Sequence, residues 1–293
     1  MRPEKTVCVA FLCVVLLSGC INQFGISGEK RESAEIFENN VSAGELSLKF
    51  GTHNGYIEIQ LWEKSSYRIE VTKWARASSA EEAQKIADDL QLNFKERTGT
   101  EVVLELDVEQ KNNTGAEITV YLPSISFNTI DLETSNGYIS IMDTLAANEI
   151  SLESSNGYIK GSLSADEITV TTSNGMVSGS FTGEDVVIKT SNGRVDIDCG
   201  NGTYTIETSN GSVDVRTGDS GSYDMSTSNG SITVTVTGEF SFDLSSANAV
   251  IDVAVPLVTY TVNNRDHKKG YTTEDAPVSV YAETSNGSIT VKD

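Results

Sequence analysis

Asp196, Asp198 and Asp214 have the residue type and spacing that could do chemistry in this 293-residue chain. Asp196 and Asp198 are two residues apart, so an extended strand would present them on one face. Asp214 follows Asp196 by 18 residues, which is one period of a repeat described below. Carboxylates on adjacent strands have backbones about 4.8 Å apart, an arrangement that either repels or holds a hard cation such as Ca²⁺. Retaining glycosidases also hold two carboxyl groups about 5–5.5 Å apart. Against an enzyme, no aromatic residue stands beside these aspartates in their own column to stack a sugar, and no apolar surroundings separate an acid role from a base role. The two histidines, His53 and His267, are far apart in the chain. No Ser/His/Asp order, zinc spacing, phosphate-cradling glycine loop or GGxGxDxUx calcium repeat is present. The expectation is a non-catalytic protein without cofactor, with Ca²⁺ at Asp196, Asp198 and Asp214 as its one candidate metal site and a solvated acidic face as the ordinary explanation of the same residues.

What would position those carboxylates is a repeat. TSNGYI at 134–139 returns as SSNGYI, TSNGMV, TSNGRV, TSNGSV, TSNGSI and a last TSNGSI at 284–289. Its asparagines are Asn136, Asn156, Asn174, Asn192, Asn210, Asn229 and, after a degenerate copy at Asn248, Asn286. Up to Asn248 they advance by 20, 18, 18, 18, 19 and 19 residues, a period that marks a stacked-coil architecture. Apolar residues alternate on either side of each motif, as in Ile130/Leu132 before Asn136 and Ile139/Ile141 after it. Each unit is therefore two short strands joined at a TSNG corner.

Asn-Gly between alternating hydrophobics also signals hairpins, so an antiparallel meander competes. The near-constant spacing and identical corners favour an all-β solenoid with coils of 18–20 residues, whose stacked Asn, Ser and Thr can satisfy one another between coils while Asn-Gly tolerates left-handed turn geometry. The corner asparagines are thus expected to form a structural ladder, with Asn286 closing the series beyond Asn248. Residues 128–293 are assigned to this solenoid. Residues 42–127 carry a first copy, GTHNGYIEI, further strands and one helix at about 79–92. Ser79 and Glu82 fit a capping box there, and Ala83, Ile86, Ala87 and Leu90 form an apolar stripe. This segment is expected to cap the N-terminal end of the stack.

The NGYI copy, the helix after a strand pair, the ITVYLP strand and the SNG-punctuated coils together resemble the "putative adhesin" domain family of unknown function found in bacteria and archaea. The resemblance covers about residues 40–293. It implies an exported or membrane-associated β-solenoid and supplies no catalytic residues. Ala249 in place of Gly, and the insertion around Arg265 to Gly270, depart from the repeat.

The chain begins with basic Arg2 and Lys5, an apolar run from Val7 to Leu17, and then Leu17-Ser18-Gly19-Cys20. The run is too short to span a bilayer comfortably and suits a signal peptide. The four residues resemble a lipobox, which implies lipidation at Cys20 after removal of residues 1–19. Polar residues 20–41 are read as a flexible tether. A mature chain would keep Cys20 and Cys199, so no internal disulfide is expected. A formal charge of −21 excludes nucleic acid as a partner class, because phosphate binding needs clustered cations. Sequons occur at Asn40, Asn112, Asn201, Asn210, Asn229 and Asn286, those at the corners being expected to lie buried.

The resulting expectation is a lipid-anchored, exported adhesion or interaction module of the cell envelope whose partner is an envelope protein or a glycan. The alternatives are an envelope-stress or structural accessory that binds a membrane partner and, third, a carbohydrate-acting enzyme.

Overall fold

The computed structural model describes residues 28–293. The signal segment, Cys20 and residues 20–27 of the expected tether lie outside the described residues. In chain order the N-terminal elements are β1 (Glu29–Asn40), β2 (Glu45–Thr52), β3 (Ile57–Trp62), β4 (Ser66–Ala77), α1 (Ala80–Asp89), β5 (Leu92–Thr98), β6 (Val102–Val108) and β7 (Thr114–Pro123). The repeat region supplies β8 (Ser126–Thr134), β9 (Ile139–Ser154), β10 (Ile159–Thr172), β11 (Val177–Thr190), β12 (Val195–Cys199), β13 (Gly202–Thr208), β14 (Val213–Arg216), β15 (Gly221–Thr227) and β16 (Ile232–Thr235). The last elements are β17 (Phe240–Ser246), β18 (Ile251–Ala254), β19 (Thr259–Asn263), β20 (His267–Tyr271), β21 (Val278–Thr284) and β22 (Ile289–Lys292).

Neighbouring repeats pair in parallel, Val195 opposite Val213 and Tyr204 opposite Tyr223, as a solenoid requires and a meander does not. Strands before the corner form one face, in the order β5, β6, β2, β8, β9, β10, β11, β13, β15, β21, β17, β20, β19. Strands after the corner form the second, in the order β1, β4, β7, β3, β9, β10, β11, β12, β14, β16, β22, β18. The long strands β9, β10 and β11 belong to both faces because they bend round the rim opposite the TSNG corner. Between the faces runs one hydrophobic core from Phe37 to Val291, so residues 42–127 and the repeats share a single interior.

Two features of this stack differ from the order of the chain. At the C-terminal end the last coil, β21 with β22, is inserted between the coil β15–β16 and the coil β17–β18. Asn286 therefore does not close the series; Asn248 does. At the N-terminal end the coil β2–β3 lies inside β6 and β7, which come later in sequence. The coil β2–β3 and the last coil, β21–β22, are thus each covered by strands that are not their neighbours in sequence, while β1 forms the outer edge beside β4.

The corner residues fit this order. A Cβ placed on Gly193 would stand 1.7 Å from the carbonyl oxygen of Gly175 in the next coil, and the same clash recurs at Gly137, Gly157 and Gly287. None of these corner glycines has a left-handed φ, so the tolerance of Asn-Gly for a left-handed turn is not what the corner uses: glycine is required by the stacking distance between backbones. Alanine replaces it at the two ends of the column. Ala116 has its carbonyl beneath Gly55, and Ala249 lies in the outermost coil, whose free side leaves it room to shift. In the sequential order Ala249 would be clamped between two coils.

The tether expectation is also corrected for residues 29–40, which pair with β4 along their whole length. The strand is fixed by side chains: Phe37 stacks on Phe94 at 4.4 Å, and Glu35 meets the buried Lys73 ammonium at 2.6 Å. Lys73 also donates to the carbonyls of Asp88 and Leu90 at 3.1 Å, so it satisfies the C-terminal end of α1. The helix starts as expected, with the Ser79 hydroxyl accepting from the Glu82 N–H, and it ends at Asp89, before the expected 92.

Candidate interaction face

The corner is chemically complete within itself. The Thr or Ser two before each Asn is buried; its hydroxyl accepts from the Gly N–H of its own corner, at 3.0 Å for Thr190 and Gly193. The hydroxyl donates in turn to the corner carbonyl of the next coil, as from Thr134 to Gly55 at 2.8 Å and from Ser246 to Gly287 at 3.1 Å. The asparagine side chains form one continuous ladder, each Nδ2 donating to the Oδ1 of its neighbour at 2.7–2.9 Å. The ladder begins at Asn54 and runs through Asn136, Asn156, Asn174, Asn192, Asn210, Asn229 and Asn286 to Asn248. From Asn136 to Asn248 these asparagines are exposed, contrary to the burial expected for the corner sequons, but their amides are already bonded. Beside them lies an open groove of about 360 Å³ lined by Thr, Ser, Lys189 and Glu207, too shallow to enclose a ligand.

The three candidate aspartates are brought together as the spacing implied, since Asp196 and Asp214 are register neighbours. Their charges are met by the chain itself. Arg194 reaches Asp196 at 3.0 Å and Asp214 at 3.1 Å, and Arg216 pairs with Asp198. Among the described residues, no group of three His, Cys, Asp or Glu is arranged to hold a metal ion. The candidate Ca²⁺ site is thus occupied on its outward side by guanidinium groups. The histidines lie towards opposite ends of the stack, His53 against Gln110 and His267 against Asp243. Cys199 is mostly shielded, and burial raises its thiol pKa well above the ordinary range, which makes it a packing residue rather than a nucleophile.

The residue two after the Asn carries the group that sequence reasoning passed over. It is Tyr56, Tyr138 and Tyr158 in three successive coils and Met176 in the fourth. The rings stack with centroids 4.9 and 4.7 Å apart and planes within 9° and 4°. Tyr138 donates its hydroxyl to Glu58 at 2.9 Å; burial first, then Glu58, pushes its pKa upward, so it stays a neutral donor. On the same outward face Met142 is 66 % exposed, Met176 43 % and Tyr158 40 %. Trp62 stacks on Tyr121 at 5.3 Å under the ammonium of Lys64, at 4.3 Å from the ring. The sequence signal was the word NGY at 54–56, 136–138 and 156–158; attention to the column two residues further on, where the aspartates lie, missed it.

This is a flat aromatic and methionine patch on a rigid parallel sheet. Methionine and aromatic side chains are the residue types enriched where proteins contact one another. The ring faces are largely spent on each other, which leaves edges, hydroxyls and thioethers outward. Sugar rings need free aromatic faces, so the patch suits a polypeptide better than a glycan. Among the described residues no helix is long and apolar enough to cross a membrane.

A family model described as Toastrack DUF4097 matches residues 44–292. Among solved structures, a "putative cell adhesion protein" from Clostridium sporogenes is 14% identical, with 89% of this chain and 99% of that chain covered and a TM-score of 0.26. A "putative adhesin" from Bacteroides fragilis is 12% identical, with 88% and 96% covered and a TM-score of 0.49. A "putative adhesin" from Parabacteroides distasonis is 11% identical over the same shares, 88% and 96%, with a TM-score of 0.35. No curated protein matches the chain.

Proposed function

We propose the following for a chain that belongs to the Toastrack DUF4097 family: it is a non-catalytic interaction module, exported and held at the cell envelope through a lipid on Cys20. Its contact surface is the face that carries Tyr56, Tyr138, Tyr158, Met142 and Met176, and its partner is a polypeptide of the envelope. The observation that supports this reading is the exposure of Met142, Met176 and Tyr158 together on one sheet face. Solvent-exposed apolar side chains gathered in one patch mark an interaction surface, whereas single exposed ones do not. Adhesion to another cell and service as an accessory to a membrane protein both use such a surface, and both keep the partner a protein.

The test is affinity capture from solubilised envelopes with the wild-type chain and with a Tyr158→Ser/Met176→Ser variant, beside an array of envelope glycans. Capture of a defined protein by the wild type and its loss in the variant are expected. Equal capture by both, or binding confined to glycans, would overturn the choice of face or of partner class. Palmitate or a related acyl chain recovered on an N-terminal Cys20 peptide would support the anchor, and an unprocessed Met1 peptide on the purified protein would sink it.

A further inference from the structure

The six sequons divide sharply once the fold is known. At Asn210, Asn229 and Asn286 the Nδ2 atom donates along the corner ladder at 2.7–2.8 Å. A glycan on any of them would have to share its Nδ2 with that bond inside the packed ladder. At Asn112 the acceptor lies in an exposed turn, but the Thr114 hydroxyl that completes its sequon is buried and donates to the Lys111 carbonyl at 2.9 Å. Asn40 and Asn201 differ on every count. Both are exposed, and so are the hydroxyl residues two further on, Ser42 and Thr203. The Asn201 side chain accepts from the Ser220 N–H through Oδ1 at 3.2 Å, which fixes the carbonyl oxygen inward and leaves Nδ2 without a partner among the described residues.

Position in the stack adds to this. Asn201 lies between β12 and β13, and Asn40 is the last residue of β1, opposite Ser66. Both belong to the rim where chains leave the post-corner face, opposite the corner at which the tyrosines stack. A bulky glycan on this rim leaves the amide ladder intact.

We infer that Asn40 and Asn201 are N-glycosylation sites of the exported protein, and that Asn112, Asn210, Asn229 and Asn286 stay bare once the chain has folded. The inference rests on export in the proposed function. Chemically, Nδ2 attacks the anomeric carbon of a glycan carried on a polyprenyl phosphate or diphosphate. A C–N bond forms, the C–O bond to phosphate breaks, the lipid phosphate leaves with the electron pair, and the amide gives up one proton.

Two arms keep this inference separable from export. In the first, the full chain is recovered from its own cells, its accessibility to protease on intact cells is measured, and its glycopeptides are mapped by mass spectrometry. Glycan on Asn40 and Asn201 peptides is expected, with one mass step lost in each of Asn40→Gln and Asn201→Gln and none in Asn210→Gln. A protease-accessible chain bare at both sites, or one modified at the corners, overturns the inference. In the second, purified folded chain is incubated with an oligosaccharyltransferase and its lipid-linked glycan. A chain that proves cytosolic sinks export, and this arm then decides the sites by the same pattern.

Discussion

Two columns of the same solenoid, one residue apart along the chain, have opposite characters. The corner column of Gly, with its neighbouring Asn and Thr, is a closed system in which polar atoms are bonded to the next coil. The adjacent column of Tyr56, Tyr138, Tyr158 and Met176 leaves apolar surface facing water. Repetition therefore has two meanings in this protein. Where the repeat is strictest it reports the physics of stacking, and where it changes from coil to coil it has room to serve a partner.

The contrast is open to direct attack. The largest effect is expected from Gly193→Ala, which puts a methyl 1.7 Å from a backbone carbonyl that cannot move without parting two coils. A loss of about 3 kcal/mol or more is expected in denaturant titration. Gly287→Ala should behave alike, because its Cβ would stand 1.8 Å from Gly230 O, whereas Ala249→Gly in the outermost coil should change stability by under about 1 kcal/mol. Equal effects at 249 and 287 would remove the steric reason given for the inserted coil.

Thr134→Val keeps the shape but strands the Gly137 N–H and the Gly55 carbonyl, and about 2 kcal/mol is expected from the same titration. Asn192→Ala opens the exposed ladder on both sides and should cost about 1 kcal/mol. Tyr158→Ser removes one ring-to-ring contact and should cost at most about 1 kcal/mol while abolishing partner capture. A Tyr158 variant that unfolds would show the tyrosines to be part of the frame and would erase the distinction between the columns.

The smallest effect concerns pH. Lys269 first, and His267 with it, hold the Asp243 carboxyl below its usual pKa despite partial burial. A lowered folded pKa stabilises the protein above the unfolded carboxylate pKa of about 3.9, and that contribution is lost as pH falls through the folded value. Asp243→Asn should therefore lower stability above about pH 4, and so flatten the acid limb, by a few tenths of a kcal/mol at most, about what an exposed pair supplies.

Much of the architecture could be read from the chain, and particular residues show why. The 18-to-20-residue spacing and the alternation of Ile, Val and Leu on either side of Asn-Gly dictate short parallel strands around one core, because only stacked coils return the same residue to the same place. Ser79 and Glu82 announced the helix through a local hydrogen bond, which sequence neighbours can make unaided. The candidate aspartates were correctly placed side by side, but the cations that pair with all three, Arg194 at the corner before β12 and Arg216 from the next coil, depend on side-chain reach that spacing does not express.

What the sequence by itself determined was the unit: its length, its two strands, its corner and its inward residues, all set by local periodicity. Which coil lies next to which was decided only in three dimensions. Parallel ladders can form between any two units, and the tertiary structure places the coil of Ala249 outermost, on the coil of Gly287, 38 residues later in the chain. The same holds for β1, whose polar sequence becomes a strand only because Lys73 and Phe94, distant along the chain, stand where Glu35 and Phe37 need partners. The tyrosine stack belongs to the tertiary structure too, since its rings become one surface only when three coils lie in register.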